Sequence, residues 1–425
     1  MHFLLTTLGC KVNQYESSGL SAELERFGFK PAFGIESAAI FILNSCTVTE
    51  NSDKKTRQLL NSARSKNPRV ITVLTGCFPQ AFPEKARELG ADIICGTSKR
   101  SELLALILSF METRAAIDKI TDLPDTYEEF SVFSTDKDFS PNSGRTRAFI
   151  KIQDGCDCNC AYCIVPKARG NPRSRPPDSI RAEAEAAAGA GYKELVLTGI
   201  NLTKYEFGLY EAVSIAAQFA ERVRLSSVEP DLLTDALLEK LAQIKKLCPH
   251  FHLSLQSGSD SILKRMGRRY TADEYYKKVQ KIRSLFKTPA FTTDMMTGFP
   301  GETEEEFVES LGFARKAGFS KIHVFPFSAR AGTAAASMEN QVPENIRRER
   351  RNRLLSAADE MRREFLTAQI GRTLSVLVEK RTSADEVFGH AENYTPVKIL
   401  SKTAQKNDIL SVTVIKAENG FCVGK

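Results

Sequence analysis

Residues 153–170 read QDGCDCNCAYCIVPKARG. Within them Cys156, Cys160 and Cys163 keep a C-x3-C-x2-C spacing. One tight loop can turn three such thiolates inward onto a single metal centre. A structural zinc knot takes a fourth protein ligand, usually from a second pair. Neither a C-x2-C nor an H-x3-H partner stands nearby. Three thiolates suit a 4Fe–4S cluster better, because they ligate three irons and leave the fourth open to an external ligand. Cys158 lies inside the motif with one residue between it and Cys160, a spacing that fits less well, and it is read as a passenger.

The loop follows a candidate strand, Ala148–Gln153, and a β/α series continues from there. Further candidate strands are Glu194–Thr198, Val223–Ser226, His250–Leu255, Phe291–Met296 and Lys321–Phe325, with helices such as Asp178–Ala188 and Thr303–Ala317 between them. Repeated units of this kind predict a partial (β/α)6 barrel rather than a full eight-unit one, with an open parallel sheet as the alternative. Thr271 with Glu274 and Thr303 with Glu306 read as capping boxes. Residues 344–367 read as one long charged helix. After it Thr373–Glu379, Thr395–Leu400 and Ile409–Ile415 are β-rich and predict a small barrel of OB type.

Upstream, apolar runs at Phe3–Leu8, Ala39–Leu43, Val70–Leu74 and Ile93–Ile94 alternate with helical stretches near Glu16–Phe27, Ser52–Ser65 and after Pro83. That alternation predicts a doubly wound parallel sheet covered on both faces. Residues 115–144 are rich in Asp, Ser, Thr and Pro and read as a connecting segment. The domains expected are therefore 1–114, a connector over 115–144, a core with its charged helix over 145–370, and a last domain over 371–425.

Cys10, Cys46 and Cys77 each follow one of the upstream apolar runs, in FLLTTLGC, AAIFILNSC and VITVLTGC. In a parallel sheet those positions share the edge where open α/β folds bind ligands. Two readings stand: a shared metal site, or buried structural cysteines, which are common. Cys95, in ADIICG, also follows a short strand and is read as a bystander. The chain has 425 residues and ten cysteines, too long and too dilute for a secreted disulfide scaffold. No apolar run approaches the roughly 20 residues that span a bilayer, and the opening MHFLLTTLGC lacks the basic region of a signal peptide. A cytoplasmic protein is expected. The net charge of +7 permits a polyanionic partner without requiring one.

The segments TLGCKVNQYES, NSCTVTENSDKK, TGCFPQ, DGCDCNCAYC, VLTGINL, RLSSVEPD, HLSLQSGSDSILKRMGRRYT, TDMMTGFPGETEEEF and VFPFSARAGTAA run in that order. In their order and spacing the chain resembles the methylthiotransferase family of radical S-adenosylmethionine (SAM) enzymes over nearly its whole length. GCKVNQYES and NSCTVTE resemble the branch acting on N6-threonylcarbamoyladenosine at position 37 of tRNA; the isopentenyladenosine branch usually reads GCQMN at the first site. The resemblance implies an auxiliary 4Fe–4S cluster on Cys10, Cys46 and Cys77, a SAM-binding cluster on Cys156, Cys160 and Cys163, and a TRAM-like RNA-binding barrel at the end. It also implies a reaction in which a 5′-deoxyadenosyl radical abstracts hydrogen from C2 of adenine. The auxiliary cluster supplies the sulfur and a second SAM the methyl group. A flavodoxin- or ferredoxin-type electron donor is expected, and the sulfur donor is not identified.

By the same resemblance, SAM contacts are expected from Tyr162, Thr198, Gly199, Asn201, Ser227, Glu229, Gln256, Ser257, Asp294 and Arg330, most of them after strands of the core. Against each stands a plainer reading as a turn or a solvated polar group. Lys398, Lys402 and Lys406 on the last barrel, and Arg347 and Arg351 on the charged helix, are expected RNA contacts, the helix arginines competing with a reading as a solvated face. Besides action on isopentenyladenosine 37 of tRNA, two other functions fit the architecture. One is methylthiolation of an aspartate in a ribosomal protein. The other is a non-catalytic iron–sulfur RNA-binding protein, which would have no need of a SAM pocket.

Overall fold

The computed structural model describes residues 1–98, 100–128 and 145–425. Its first unit is a six-stranded parallel sheet with order β2-β1-β3-β4-β5-β6. The strands are β1 (His2–Thr7), β2 (Lys30–Pro31), β3 (Ile40–Ser45), β4 (Ile71–Gly76), β5 (Ile93–Cys95) and β6 (Ile117–Lys119). Every residue of β3 and β4 is buried, as expected for strands with helices on both faces. Alternation along the strands divides the core. Phe41, Leu43, Leu74 and Ile94 face one layer, while Ile40, Ile42, Val73, Ile93 and Cys95 face the other.

The expected boundary at residue 114 is too early. β6 pairs with β5, so the first unit runs at least to Lys119. A three-residue edge strand carries too little periodicity to read from sequence. The first helix is also longer than expected. It spans Lys11–Arg26 and starts directly after Cys10 rather than at Glu16. Most of the expected connector, residues 129–144, lies outside the described residues.

The second unit holds β7 (Arg147–Lys151), β8 (Gln153–Asp154), β9 (Arg173–Ser174), β10 (Glu194–Thr198), β11 (Arg222–Leu225), β12 (Ser227–Val228), β13 (His250–Leu253), β14 (Ala290–Thr297) and β15 (Lys321–Pro326). β11-β10-β7 and β12-β13-β14-β15 are parallel sheets, and β11 and β12 are successive halves of one run broken at Ser226. The result is the set of parallel strand positions that the repeats predict. β8 and β9 pair antiparallel, Gln153 with Ser174 and Asp154 with Arg173, and clasp the base of the cysteine loop. Both capping boxes form, at Thr271 and Thr303.

The helix Glu344–Thr367 leads to a closed barrel of β16 (Thr373–Ser383), β17 (Glu386–Ala391), β18 (Pro396–Leu400), β19 (Ile409–Glu418) and β20 (Phe421–Gly424), in the order β16-β17-β18-β20-β19. The barrel docks on the starts of the core strands. Arg222 donates to the carbonyls of Ser375 and His390, and Arg224 to those of Glu392 and Ala391. Both guanidiniums also hold Glu194. Burial works to raise the Glu194 carboxyl, but Arg224, Arg222 and Arg147 override it and hold it down at about 2.

Candidate functional site

The three scattered cysteines meet. The turn between β1 and the first helix carries Cys10, the end of β3 carries Cys46, and the end of β4 leads into Cys77. Gly9 makes the approach possible: it sits at φ +98°, and a Cβ there would lie 2.9 Å from Cys46 Sγ. The thiols of Cys10 and Cys77 each lie 3.9 Å from Asn13 Oδ1. Asn13 is fixed in turn by donating from Nδ2 to the carbonyls of Leu8 (2.8 Å) and Ser45 (3.0 Å). Cys46 and Cys77 are buried and Cys10 is exposed, so the group opens on one side. Burial, with Cys77 nearby, pushes the Cys46 thiol up to about 12. Thiols so placed ionise when a cation replaces their protons, which is the chemistry of a cluster ligand set. Cys95 takes no part. Alternation along β5 turns it into the opposite core layer, where it is fully buried.

The second set lies on one loop between β8 and β9. Arg268 Nη1 donates to Cys160 Sγ at 3.3 Å and also engages Glu229 and Tyr270. Cys163 is pushed up to about 12 by burial. The thiols of Cys156 and Cys158 lie within 4.8 Å of each other, and Asn201 Nδ2 reaches Cys158 Sγ at 3.7 Å. Cys158 therefore sits in the loop beside the motif cysteines. Gln153 braces this loop. Its Nε2 donates to the carbonyls of Asp154 and Gly155, and its Oε1 accepts from the Asn201 backbone at 2.8 Å.

A buried ionic network joins the two sets. Arg169, which ends the short helix after the second cysteine loop, is almost wholly buried. It donates to Asn13 Oδ1 at 2.6 Å, to Glu16 Oε1 at 2.9 Å and to Asp154 Oδ1 at 2.9 Å. Lys151 also bridges Glu16 and Asp154. Burial works to raise both carboxyls, but Arg100, Arg169 and Lys151 around Glu16, and Arg169, Lys151 and Arg173 around Asp154, hold them well below the usual range. The residue that touches the first cysteine set is thus tied directly to the arm of the second.

Several expected SAM contacts line the strand ends. Thr198 Oγ1 and Gln256 Oε1 are buried without a hydrogen-bond partner among the described residues, and so is the Oγ of Ser226, which was not among the expected contacts. Gln256 also stands at φ 71°, in the left-handed region. Buried orphan groups and a strained residue beside a cysteine loop fit a polar ligand such as SAM. Gly199 lies against Gln153, and a Cβ there would approach it to 3.1 Å. Tyr162 and Ser227 are half-buried.

Other expected contacts are committed elsewhere. Arg330 is bound to Asp53 (2.5 Å) and Thr47 (2.7 Å), so it clamps the first unit to the second and is not a free cation for SAM or phosphate. Glu229 is paired with Arg268. Ser257 Oγ lies 2.9 Å from Ser310 Oγ and braces the helix Glu304–Ala317. Asp294 lies within β14, which continues to Thr297, and pairs with His252 at 3.3 Å. Arg347 Nη1 donates to the Phe327 carbonyl at 2.6 Å, which anchors the long helix instead of presenting the charge to RNA. Arg351 is half-buried. Lys398 pairs with Glu386 and Lys402 with Asp385, each at 3.6 Å, and Lys402 and Lys406 are exposed.

Asn13, Gln153, Arg169 and Arg268 were not among the expected site residues. Asn13 and Arg268 stand inside quoted motifs, TLGCKVNQYES and HLSLQSGSDSILKRMGRRYT, six and sixteen residues from their starts at Thr7 and His252. Proximity to a motif was the signal available for them. Arg169 closes PKAR at the end of the decisive stretch, where a lone Arg reads as a surface charge.

Residues 2–96 match the model of the uncharacterized protein family UPF0004, and residues 150–314 that of the radical SAM superfamily. The chain is 36% identical to the threonylcarbamoyladenosine tRNA methylthiotransferase MtaB of Bacillus subtilis, over 97% of this chain and 93% of that protein. It is 36% identical to the protein of the same name from Thermotoga maritima, over 92% and 89%. A tRNA-2-methylthio-N(6)-dimethylallyladenosine synthase of Clostridium botulinum is 34% identical over 100% and 96%. Among solved structures, the radical SAM methyltransferase TsrM of Kitasatospora setae matches with a TM-score of 0.57 at 14% identity, covering 79% of this chain and 77% of that one. That likeness is one of fold.

Proposed function

The chain belongs to the radical SAM methylthiotransferase family, and from that premise we propose that it converts N6-threonylcarbamoyladenosine at position 37 of tRNA to its 2-methylthio derivative. The observation that carries this reading is the pair of cysteine triads joined through Asn13 and Arg169. A methylthiotransferase needs one centre to generate a radical and another to deliver sulfur, held in fixed relation. We assign Cys156, Cys160 and Cys163 to the SAM cluster and Cys10, Cys46 and Cys77 to the auxiliary cluster. When bound, the clusters and SAM supply the radical, the sulfur and the methyl group, chemistry that belongs to the cofactors.

The protein's part is placement. Arg268 steadies Cys160 and Glu229 together. Thr198, Ser226 and Gln256 offer the unpaired polar atoms that a SAM molecule would satisfy. Asn13 holds the turn bearing Cys10 against the end of β3. Adenosine 37 lies in a single-stranded loop, where a base can be splayed out at lower cost than from a duplex. The last barrel, with Lys402 and Lys406 exposed, is our candidate reader of that loop. No helix among the described residues is long and apolar enough to cross a membrane. A cytoplasmic location and a flavodoxin- or ferredoxin-type electron donor complete the reading.

The test is anaerobic reconstitution with iron and sulfide, then incubation with reductant, SAM and tRNA from cells lacking the modification. Nucleoside mass spectrometry should show the methylthio derivative of threonylcarbamoyladenosine. Formation of 5′-deoxyadenosine with unchanged tRNA would keep the radical chemistry and sink this substrate, leaving a ribosomal-protein aspartate as the next to try.

A further inference from the structure

Lys11 follows Cys10 directly and is the first residue of the helix Lys11–Arg26. Its side chain is half-buried and has neither a hydrogen bond nor an ion pair among the described residues. Five other cations around the two cysteine sets are held in ion pairs. Lys151 and Arg169 hold Glu16 and Asp154, Arg147 and Arg224 hold Glu194, and Arg268 holds Glu229. Lys11 alone of these lacks a partner.

Several groups of the second unit lie within electrostatic reach of Lys11. They are Arg147 on β7, Arg224 on β11, His250 on β13, Asp294 on β14 and His323 on β15, besides Cys10 itself. A residue of the first unit therefore reaches over the strands of the second. Asp294, the one carboxylate in that set, is already paired with His252. Glu194 is likewise taken up by Arg147 and Arg224, so Lys11 has no carboxylate of its own among the described residues, and a half-buried ammonium without a counter-ion calls for an anion.

This inference rests on the threonylcarbamoyladenosine reading. In that base the threonine nitrogen is joined through the carbamoyl group to N6, and the threonine carboxylate stays ionised. The alkyl group of an isopentenyl or dimethylallyl adenosine carries no charge. We propose that Lys11 pairs with the threonine carboxylate of the substrate base, which seats C2 between the two clusters and lets the enzyme prefer this base over one with a neutral N6 substituent. The adjacency of Lys11 to Cys10 means that the anchor for the substituent and the turn bearing a cluster ligand are one piece of backbone.

The experiment uses the reconstituted full chain as wild type, Lys11→Met and Lys11→Arg. Each is given tRNA bearing threonylcarbamoyladenosine 37 and, separately, tRNA bearing isopentenyladenosine 37. Loss of a hydrogen bond to a charged group predicts that Lys11→Met lowers kcat/KM on the threonylcarbamoyl tRNA by about 10- to 100-fold. The preference for it over the isopentenyl tRNA should shrink by the same factor, and Lys11→Arg should restore most of the loss. The preference is a ratio, so it does not depend on how much of a variant is folded or loaded with cluster. An unchanged preference in Lys11→Met, or a raised KM for SAM in place of a tRNA effect, would overturn the inference. If the wild type itself leaves threonylcarbamoyl tRNA unmodified, the substrate reading falls, and that lane alone reports it.

Discussion

Cys156, Cys160 and Cys163 share one loop, clasped at its base by two short antiparallel strands. Cys10, Cys46 and Cys77 come from three strand ends and are brought together only when the parallel sheet forms. The first set is local, and its members keep their neighbours even in a loosely folded chain. The second depends on the register of β1, β3 and β4 and on Asn13, which lies within 3.9 Å of two of the thiols. On the assignment proposed above, the cluster that would deliver an electron to SAM rests on a loop. On the same assignment, the cysteines that would hold the sulfur-supplying cluster stand at the edge of a parallel sheet, with Cys10 exposed.

The sharpest way to break this comparison is to remove one ligand from each set. Cys160→Ala should abolish both 5′-deoxyadenosine formation and tRNA product. Cys46→Ala should abolish the product but keep 5′-deoxyadenosine formation, measured by chromatography. Equal loss of both activities in the two variants would erase the division of labour. Next in size is Arg169→Met, which leaves Glu16 and Asp154 buried without their shared guanidinium. Breaking such a buried pair should cost about 3–5 kcal/mol, read from chemical denaturation of the apoprotein. Asn13→Ala should cost about 1–3 kcal/mol, because it strands the Leu8 and Ser45 carbonyls and the Arg169 donor. It should also lower iron retention at the auxiliary set alone, followed by electron paramagnetic resonance. Smallest is Cys95→Ala, a trimmed side chain in the far core layer, with about 1 kcal/mol of destabilisation and unchanged iron content. A loss of iron there would make Cys95 a ligand and overturn its reading as a bystander.

The local set was legible in the sequence because its spacing alone states the chemistry. The dispersed set was legible only as a coincidence of cysteines after apolar runs. Its convergence depended on a strand order that no local pattern encodes. The strands and capping boxes of the core were readable from period and turn chemistry, down to the helix at 344–367. The edge strand β6 was not, since three residues carry no usable period. Charges were the least readable. Arg330, Arg347 and Arg169 look alike as letters, yet one clamps two units, one caps a carbonyl and one joins the two cysteine sets. Only the tertiary partner of each distinguishes them.

The central claim is that the chain carries two separate clusters. Iron and acid-labile sulfide should be counted in the reconstituted wild type and in two triple variants, Cys10→Ala/Cys46→Ala/Cys77→Ala and Cys156→Ala/Cys160→Ala/Cys163→Ala. The account predicts about eight irons per wild-type chain and about four in each triple variant. About four irons in the wild type, all lost from one triple variant and all kept by the other, would contradict it.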